Sequence, residues 1–126
     1  MIRTYRDLEV WQRGMALAKE VYALARSLPS EERFGLISQL QRAAVSVPAN
    51  IAEGHARDST KEYLRFVSIA LGSLAEVGTL VELATGLYPI EVNLANEINE
   101  LRLMLRGLQG SLKNKLPAPC PPLPAP

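Results

Sequence analysis

The chain has 126 residues, 48% of them apolar and 21% charged, which are ordinary proportions for one globular domain. Its formal net charge of +1 excludes a strong global attraction for polyanions, so any such attraction needs a local cluster of cations. The single cysteine, Cys120, excludes an internal disulfide, and the first seven residues lack an apolar leader, so we expect a cytoplasmic protein.

Apolar residues recur at steps of three or four over four segments, a period that predicts four amphipathic helices. The first helix follows Asp7, predicted as its N-cap, and ends before Pro29. The second begins between Ser30 and Phe34 and runs to about residue 52. Proline inside a helix removes a backbone donor, so position 48 predicts a kink or an early, irregular ending. Gly54 is then the predicted C-terminal stop.

The third and fourth helices have clearer boundaries. Ser59 and Glu62 form a predicted capping box at the start of the third, and Gly86 stops it. The fourth helix is predicted after Pro89. Its apolar residues recur at helical spacing from Val92 to position 112 and include position 94. No segment alternates with period two over a useful length, so we predict no strand.

Short connections between helices of similar length predict antiparallel neighbours. The predicted fold class is therefore all-α, an antiparallel up-down-up-down four-helix bundle over residues 1–116. Residues 117–126 include six prolines, which predict a disordered or polyproline II tail. Such a tail either extends the chain as a solubilising segment or serves as a ligand for a proline-binding module.

The residues needed for catalysis are scarce. His55 is the only histidine, the glycines are scattered singly, and no nucleophile elbow occurs. A metal site built from His55 and Cys120 lacks ligands. Within the predicted helices, the longest uncharged stretches have ten residues, about half of the ~20 that a membrane span needs. We therefore predict a protein with no enzymatic activity, metal, cofactor or membrane partner.

One face of the second helix is unusually polar. Its residues recur at steps of four, four and three, and a further carboxylate lies on the third helix; the set is Arg42, Ser46, Asn50, Glu53 and Glu76. We interpret it as a structural network, in which Arg42 pairs with a carboxylate such as Glu76. Asn50 and Glu53 would satisfy backbone groups freed by the proline at position 48. The alternative is a ligand or partner surface.

Five glycines fall inside the predicted helices, where each costs up to about 1 kcal/mol relative to alanine. They are Gly14, Gly72, Gly78, Gly107 and Gly110. We interpret them as sites where another helix approaches closely, either within the bundle or between subunits.

Basic residues map towards one end of the predicted bundle, and seven of them are the predicted nucleic-acid-binding set: Arg6, Arg13, Arg57, Lys61, Arg65, Arg102 and Arg106. Helix dipoles do not explain Lys61 and Arg65 in the opening turns of a helix, or the like-charged pair Arg102 and Arg106. Residues that break a local rule are candidates for function. A phosphate-binding end is one interpretation, and a solvated, salt-bridged face is the other.

The segment Phe34–Gly54 contains the string Arg-Ala-x-x-Ser-x-x-x-Asn-Ile-Ala-Glu-Gly, and it resembles the signature of the four-helix-bundle family of 23S rRNA intervening sequence proteins. The segments Tyr5–Trp11, Lys61–Phe66 and Ile69–Glu76 and the residue Arg57 resemble its other blocks, so the resemblance covers roughly residues 5–113. It implies a homo-oligomer, pentameric as in related bundles, with no catalytic residues to transfer. A related branch, the accessory proteins of diversity-generating retroelements, implies a basic surface for nucleic acid.

Two functions follow from the sequence. The first is a homopentameric bundle that binds RNA or DNA through its basic end. The alternative is an adaptor that contacts a protein partner through its glycine-lined faces or its proline-rich tail and has no nucleic-acid role.

Overall fold

The computed structural model describes residues 1–117, and these form four α-helices and two short 3-10 helices without a strand. The α-helices are α1 (Glu9–Arg26), α2 (Leu36–His55), α3 (Thr60–Leu87) and α4 (Ala95–Asn114). The 3-10 helices are Tyr5–Asp7 and Ser30–Glu32. The all-α class is confirmed. The predicted structure of the tail and Cys120 fall almost entirely outside the described residues.

One apolar core holds the bundle together. α2 packs against α1 and α3, and α4 packs against α3 and more lightly against α1. Each helix contributes residues that are almost fully buried, among them Val21, Leu40, Ile51, Leu74 and Leu105. Burial of one such side chain contributes about 1.5–3 kcal/mol, so the periodic apolar stripes account for the packing of the four helices.

The start of α1 differs from the prediction. Leu8 occupies its N-cap position and makes no side-chain cap, so the prediction that Asp7 caps α1 is wrong. Asp7 instead completes a capping box with Thr4 around the first 3-10 helix, and Asp7 Oδ2 accepts a 2.8 Å hydrogen bond from the backbone of Arg3. The backbone donors of Arg3 and then Thr4 lower the pKa of the Asp7 carboxyl.

α2 continues through Pro48 and Gly54 to His55, so the predicted early ending and the glycine stop are wrong. Pro48 is buried at the contact with α1, where a Cβ built on Gly14 would lie 3.4 Å from its Cβ. A Cβ built on Gly54 would lie only 2.7 Å from Phe66 Cβ. The glycine at position 54 therefore permits close approach of α3 rather than ending α2.

The ends of the other two helices also deviate. Ser59 Oγ accepts a 3.2 Å hydrogen bond from the Glu62 amide, but the Glu62 carboxylate bonds to Arg65, so only half of the predicted capping box forms in the described chain. α3 passes through Gly86 and ends at residue 87. α4 begins only at residue 95, so positions 92 and 94, predicted as helical, precede it. Asn93 Oδ1 accepts a 3.0 Å hydrogen bond from the first amide of α4.

α3 alone among the described helices is long and apolar enough to cross a membrane by length and composition. The core helix of a soluble bundle meets the same two criteria. α3 lies between α2 and α4 and buries eight of its 28 residues, so part of its apolar composition belongs to the core.

A polar contact joins the two longer connections. The Tyr88 hydroxyl, after α3, donates a 2.7 Å hydrogen bond to Glu32 Oε2, between α1 and α2. The hydrogen bond to Glu32 raises the pKa of the Tyr88 phenol, and partial desolvation and the same carboxylate charge act in the same direction. We call this contact the loop clasp.

Candidate nucleic-acid interface

The turn between α2 and α3 and the first turns of α3 carry three of the seven predicted basic residues. Arg57 and Arg65 both lie over the Phe66 ring, with guanidinium carbons 5.0 Å and 4.7 Å from its centroid. Lys61 is exposed and has no ion pair among residues 1–117. Phe66 itself is 6% exposed, so the core fixes the ring on which the two guanidinium groups stack. We call Arg57, Lys61 and Arg65 the turn cluster.

Carboxylates partly neutralise the turn cluster. Arg57 pairs with Glu53 at 3.1 Å, and Arg65 pairs with Glu62 at 3.0 Å. The hydrogen bond from Arg65, followed by its charge, lowers the pKa of Glu62. All four side chains are substantially exposed, and an exposed pair contributes only about 0–1 kcal/mol. Exchange of these carboxylates for an external anion therefore costs little.

Two more predicted residues lie at the start of α1. The Arg6 guanidinium lies 4.9 Å from the centroid of the Tyr5 ring, which contacts Trp11 edge to face at 5.2 Å. Arg13 reaches across to α4 and pairs with Glu100 at 2.7 Å. Arg13 is thus engaged within the chain, whereas Arg6 has no ion pair in the described part.

The last two predicted residues, Arg102 and Arg106, lie on α4. Each bonds to a neutral amide: Arg102 Nη2 donates to Asn99 Oδ1 and Arg106 Nη1 to Gln109 Oε1, both at 2.8 Å. Neither has a carboxylate partner within residues 1–117. Both line a groove between α3 and α4.

The seven residues therefore do not form one cluster. The groove runs along α3 from Ser68 to Gly78, which lie three and thirteen positions beyond Arg65. At about 1.5 Å per residue, its near edge lies roughly 5 Å along α3 from Arg65 and its far edge roughly 20 Å. The simple assignment of every basic residue to an end of the bundle missed this spread along the helix.

The predicted polar network forms only in part. Ser46 Oγ lies 2.7 Å from Ser73 Oγ on α3, and Asn50 Nδ2 donates to Ser46 O at 2.7 Å and to Ser46 Oγ at 2.9 Å. Arg42 and Glu76 are both exposed, and no ion pair joins them in the described structure. In such an exposed position, an ion pair contributes too little to hold the two side chains together.

The two residues predicted to compensate for Pro48 have other partners. Proline at this position removes the amide that would bond to Ala44, yet Asn50 bonds to Ser46 one turn away. Glu53 pairs with Arg57. The prediction that Asn50 and Glu53 satisfy the groups freed by Pro48 is therefore wrong. Their actual bonds tie α2 to α3 and to the following turn.

Sequence reasoning missed a polar chain behind Arg106. Gln109, 9% exposed, is the only polar residue classed as buried within residues 1–117, and its Nε2 donates to Ser68 Oγ at 3.2 Å. Ser68 Oγ in turn donates to Leu64 O at 3.0 Å. The sequence signal for this polar chain is a glutamine that lies within the apolar stripe of the fourth helix.

Comparison with known families places the chain. The family described as 23S rRNA-intervening sequence protein matches residues 6–107, which is more than half of the chain. The chain belongs to this family. The resemblance identified from the sequence is thereby confirmed. A comparison with curated proteins gives no match.

The match to the 23S rRNA-intervening sequence protein family spans α1, α2, α3 and most of α4. It includes all seven basic residues and the partly formed polar network. Within residues 1–117 of this family member, no group of three or more His, Cys, Asp or Glu side chains is arranged to hold a metal. His55 contacts Tyr63 edge to face at 5.7 Å. What the described surface offers is a set of exposed guanidinium and ammonium groups.

Proposed function

We propose that this member of the 23S rRNA-intervening sequence protein family is a non-enzymatic, homo-oligomeric bundle that binds RNA or DNA through its exposed basic residues. The observation that carries the proposal is the incomplete neutralisation of these residues. Of the seven, Arg6, Lys61, Arg102 and Arg106 have no ion pair among residues 1–117. Each keeps its full charge for an external phosphate.

The remaining arginines support the same role. Arg57 and Arg65 hold their carboxylate partners in exposed pairs and are oriented by the Phe66 ring. A phosphate competes for such guanidinium groups because it accepts the same paired hydrogen bonds as a carboxylate. The net charge is only +1, so binding depends on these local groups and weakens steeply with salt.

The proposal includes an up-down-up-down order of the helices. Paired contacts support antiparallel neighbours, because residue numbers rise along one helix as they fall along the next. On α3 and α4, Ser68 bonds to Gln109, and a Cβ built on Gly78 would contact Ile98. Antiparallel packing also suits the short connections between the four helices.

We further propose that the bundle assembles into a homopentamer. Support for assembly comes from large apolar side chains that remain exposed on α3 and α4, among them Leu83 at 48%, Leu87 at 61% and Leu103 at 55%. Burial of such side chains between subunits would stabilise an oligomer. The number of five subunits follows from the resemblance to related pentameric bundles. Because no catalytic constellation is recognised in the sequence, we propose no enzymatic role. We also propose a cytoplasmic location, since a single cysteine suits a reducing compartment.

A salt series tests nucleic-acid binding. The purified protein is applied to immobilised single-stranded and duplex RNA and DNA, and the mass of the assembly is measured in the same buffers. Phosphate contacts are supported if the protein is retained at low salt and the logarithm of its affinity falls linearly with the logarithm of the salt concentration. Charge reversal at Lys61, Arg65 and Arg106 should abolish retention. Unchanged retention of that variant, or no retention of the wild type at any salt, would refute the proposal.

A protein adaptor remains the second candidate because one surface favours it. Between α1 and α2, a groove of about 420 Å³ has an almost wholly apolar lining that includes Met15, Tyr22, Val45 and Pro48. A partner bound there would bury apolar surface, and its affinity would tolerate salt. Binding that persists as salt rises, together with no retention on nucleic acid, would favour the adaptor.

A further inference from the structure

We propose that the groove between α3 and α4 is a phosphate-binding site built around Arg102 and Arg106, a role that deepens and rests on the proposed nucleic-acid function. The two guanidinium groups line a groove of about 440 Å³, together with the open backbone of Gly72 and Gly78. The ligand is a phosphate group, supplied either by a nucleic-acid strand or by a free polyphosphate.

The two arginines of the groove have like charges and no carboxylate partner within residues 1–117. Arg102 and Arg106 are four residues apart on one helix face, so their Cβ atoms lie about 6 Å apart and their charges repel. Of the seven predicted cations, three have carboxylate partners in the described chain, but these two bond only to the amide oxygens of Asn99 and Gln109. A bound anion would relieve the repulsion and use the remaining N–H donors, since each guanidinium has five.

Arg106 is held in place through Gln109. Its Nη1 donates to Gln109 Oε1, Gln109 Nε2 donates to Ser68 Oγ, and Ser68 Oγ donates to Leu64 O. Gln109 is 9% exposed and Ser68 is an exposed residue of α3, so these bonds link Arg106 across the groove to α3. An amide at position 109 orients the arginine and leaves its charge uncompensated, whereas a carboxylate there would neutralise it.

The groove is long enough and open enough to admit a ligand. It continues past Arg102 into a second hollow of about 510 Å³, which shares Ala75, Gly78 and Ile98 with the first. A Cβ built on Gly72 would meet nothing within 4 Å, so the floor is open to a ligand. Glu82 lines the far hollow, which confines an anion to the half that carries both arginines.

The lining also determines the kind of recognition. Neither hollow is lined by an aromatic side chain, so the groove offers no platform on which a base can stack. Contacts to phosphate position a strand and carry little sequence information. A nucleic acid bound here would therefore be held by its backbone and with little sequence preference.

The test compares two variants with equal loss of charge on the same helix. R102Q/R106Q removes the groove cations, and K113Q/K115Q removes two exposed lysines near the end of α4. Affinities for a labelled single-stranded RNA are measured by fluorescence anisotropy across a salt series. We expect R102Q/R106Q to bind at least tenfold more weakly at low salt and to lower the log–log salt slope by about 1.4, the value for two single-strand phosphates. An equal loss in both variants would overturn the proposal, because affinity would then follow net charge alone.

A second variant tests the groove without removing an arginine. Gln109→Glu places a carboxylate beside Arg106 with almost no change in shape, and Gln39→Glu, on the exposed surface of α2, is its control of equal charge. We expect several-fold weaker RNA binding for Gln109→Glu alone, with unchanged helical content by circular dichroism. Equal binding by these two variants would contradict the proposal.

Two further ligands identify the source of the phosphate and separate this proposal from the general one. Sodium tripolyphosphate is titrated directly into the wild type and R102Q/R106Q, and polyglutamate competes with RNA as a carboxylate probe. Loss of RNA or tripolyphosphate binding in the groove variant supports the phosphate site, and the ligand that shows the loss is the source. Equal competition by polyglutamate, as expected for an acidic protein partner, would overturn it. If the wild type binds no nucleic acid, the proposed function fails, while tripolyphosphate still tests the groove.

Discussion

Substitution of Gly54 by alanine tests the close approach of α2 and α3. The new Cβ would lie 2.7 Å from Phe66 Cβ, 3.1 Å from Tyr63 Cδ1 and 3.3 Å from Tyr63 O. Ordinary contacts between such atoms begin at 3.4 Å, so α2 and α3 must separate by about 0.7 Å at this point. The Phe66 Cβ and the Tyr63 carbonyl belong to or adjoin the backbone, so a rotamer change cannot relieve the overlap.

The expected destabilisation follows from two opposing contributions. Overpacking of a core contact costs about 1–3 kcal/mol. Replacing glycine by alanine within a helix gains up to about 1 kcal/mol, and less in the last turn, where Gly54 lies. The free energy of unfolding should therefore fall by about 1–2 kcal/mol. For a domain of this size, 1 kcal/mol corresponds to about 4 °C in Tm.

Gly107→Ala is the matched control, because a Cβ there meets nothing within 4 Å and the site lies inside α4. It should raise the free energy of unfolding by up to about 1 kcal/mol. Both variants are unfolded in urea, followed by circular dichroism, at one protein concentration because the stability of an oligomer depends on it. A Gly54→Ala variant as stable as the wild type would refute the assignment of this glycine to helix approach.

Three other substitutions have defined outcomes. Ser73→Ala should lower the free energy of unfolding by about 0.5–1.5 kcal/mol in urea, because it removes the 2.7 Å bond from α3 to α2. Glu53→Gln should strengthen RNA binding a few-fold at low salt in fluorescence anisotropy, since it releases Arg57 from its carboxylate. Glu32→Gln should lower the pKa of Tyr88 in an alkaline absorbance titration. Because the pKa of this phenol is higher in the folded than in the unfolded protein, the Tyr88 proton stabilises the fold below a pH of about 10. This contribution is lost as the pH rises through the pKa of Tyr88 in the folded protein.

Each of these outcomes has a control. Ser111→Ala changes an exposed serine of α4 and should leave stability within about 0.5 kcal/mol. Glu97→Gln removes an exposed carboxylate that has no ion pair in the described chain. If this variant gained as much RNA affinity as Glu53→Gln, the gain would not come from the release of Arg57. Tyr88→Phe should remove one of two high-pKa transitions from the titration. The other belongs to Tyr63, whose pKa is raised by burial. If neither Glu32→Gln nor Tyr88→Phe changed the tyrosine titration, the hydrogen bond between Tyr88 and Glu32 would be refuted.

The sequence predicted the number and class of the helices because burial imposes the period of the apolar residues. It did not predict the helix ends at Asp7, Gly54 and Gly86, where the local signals of capping and termination were overridden. Asp7 forms a capping box with Thr4 instead of capping α1, and the absence of a side chain at Gly54 leaves room for Phe66. Glycine has the same signature in a sequence whether it ends a helix or admits a neighbouring one.

The candidate site was predictable in composition but not in arrangement. The cations were identified from charge patterns alone, and such patterns do not show which of them has a carboxylate within reach. Arg13 pairs with Glu100, 87 positions away in the chain, and only the packing of α1 on α4 brings them together. The division into a turn cluster and a groove likewise depends on how far α4 is displaced along α3, which periodicity does not specify.

The loop clasp makes two distant connections interdependent. Because the Tyr88 hydroxyl reaches Glu32 across 56 positions of sequence, opening of either connection exposes polar groups of the other. In hydrogen exchange, the amides around both should therefore open as one cooperative unit rather than as two independent loops.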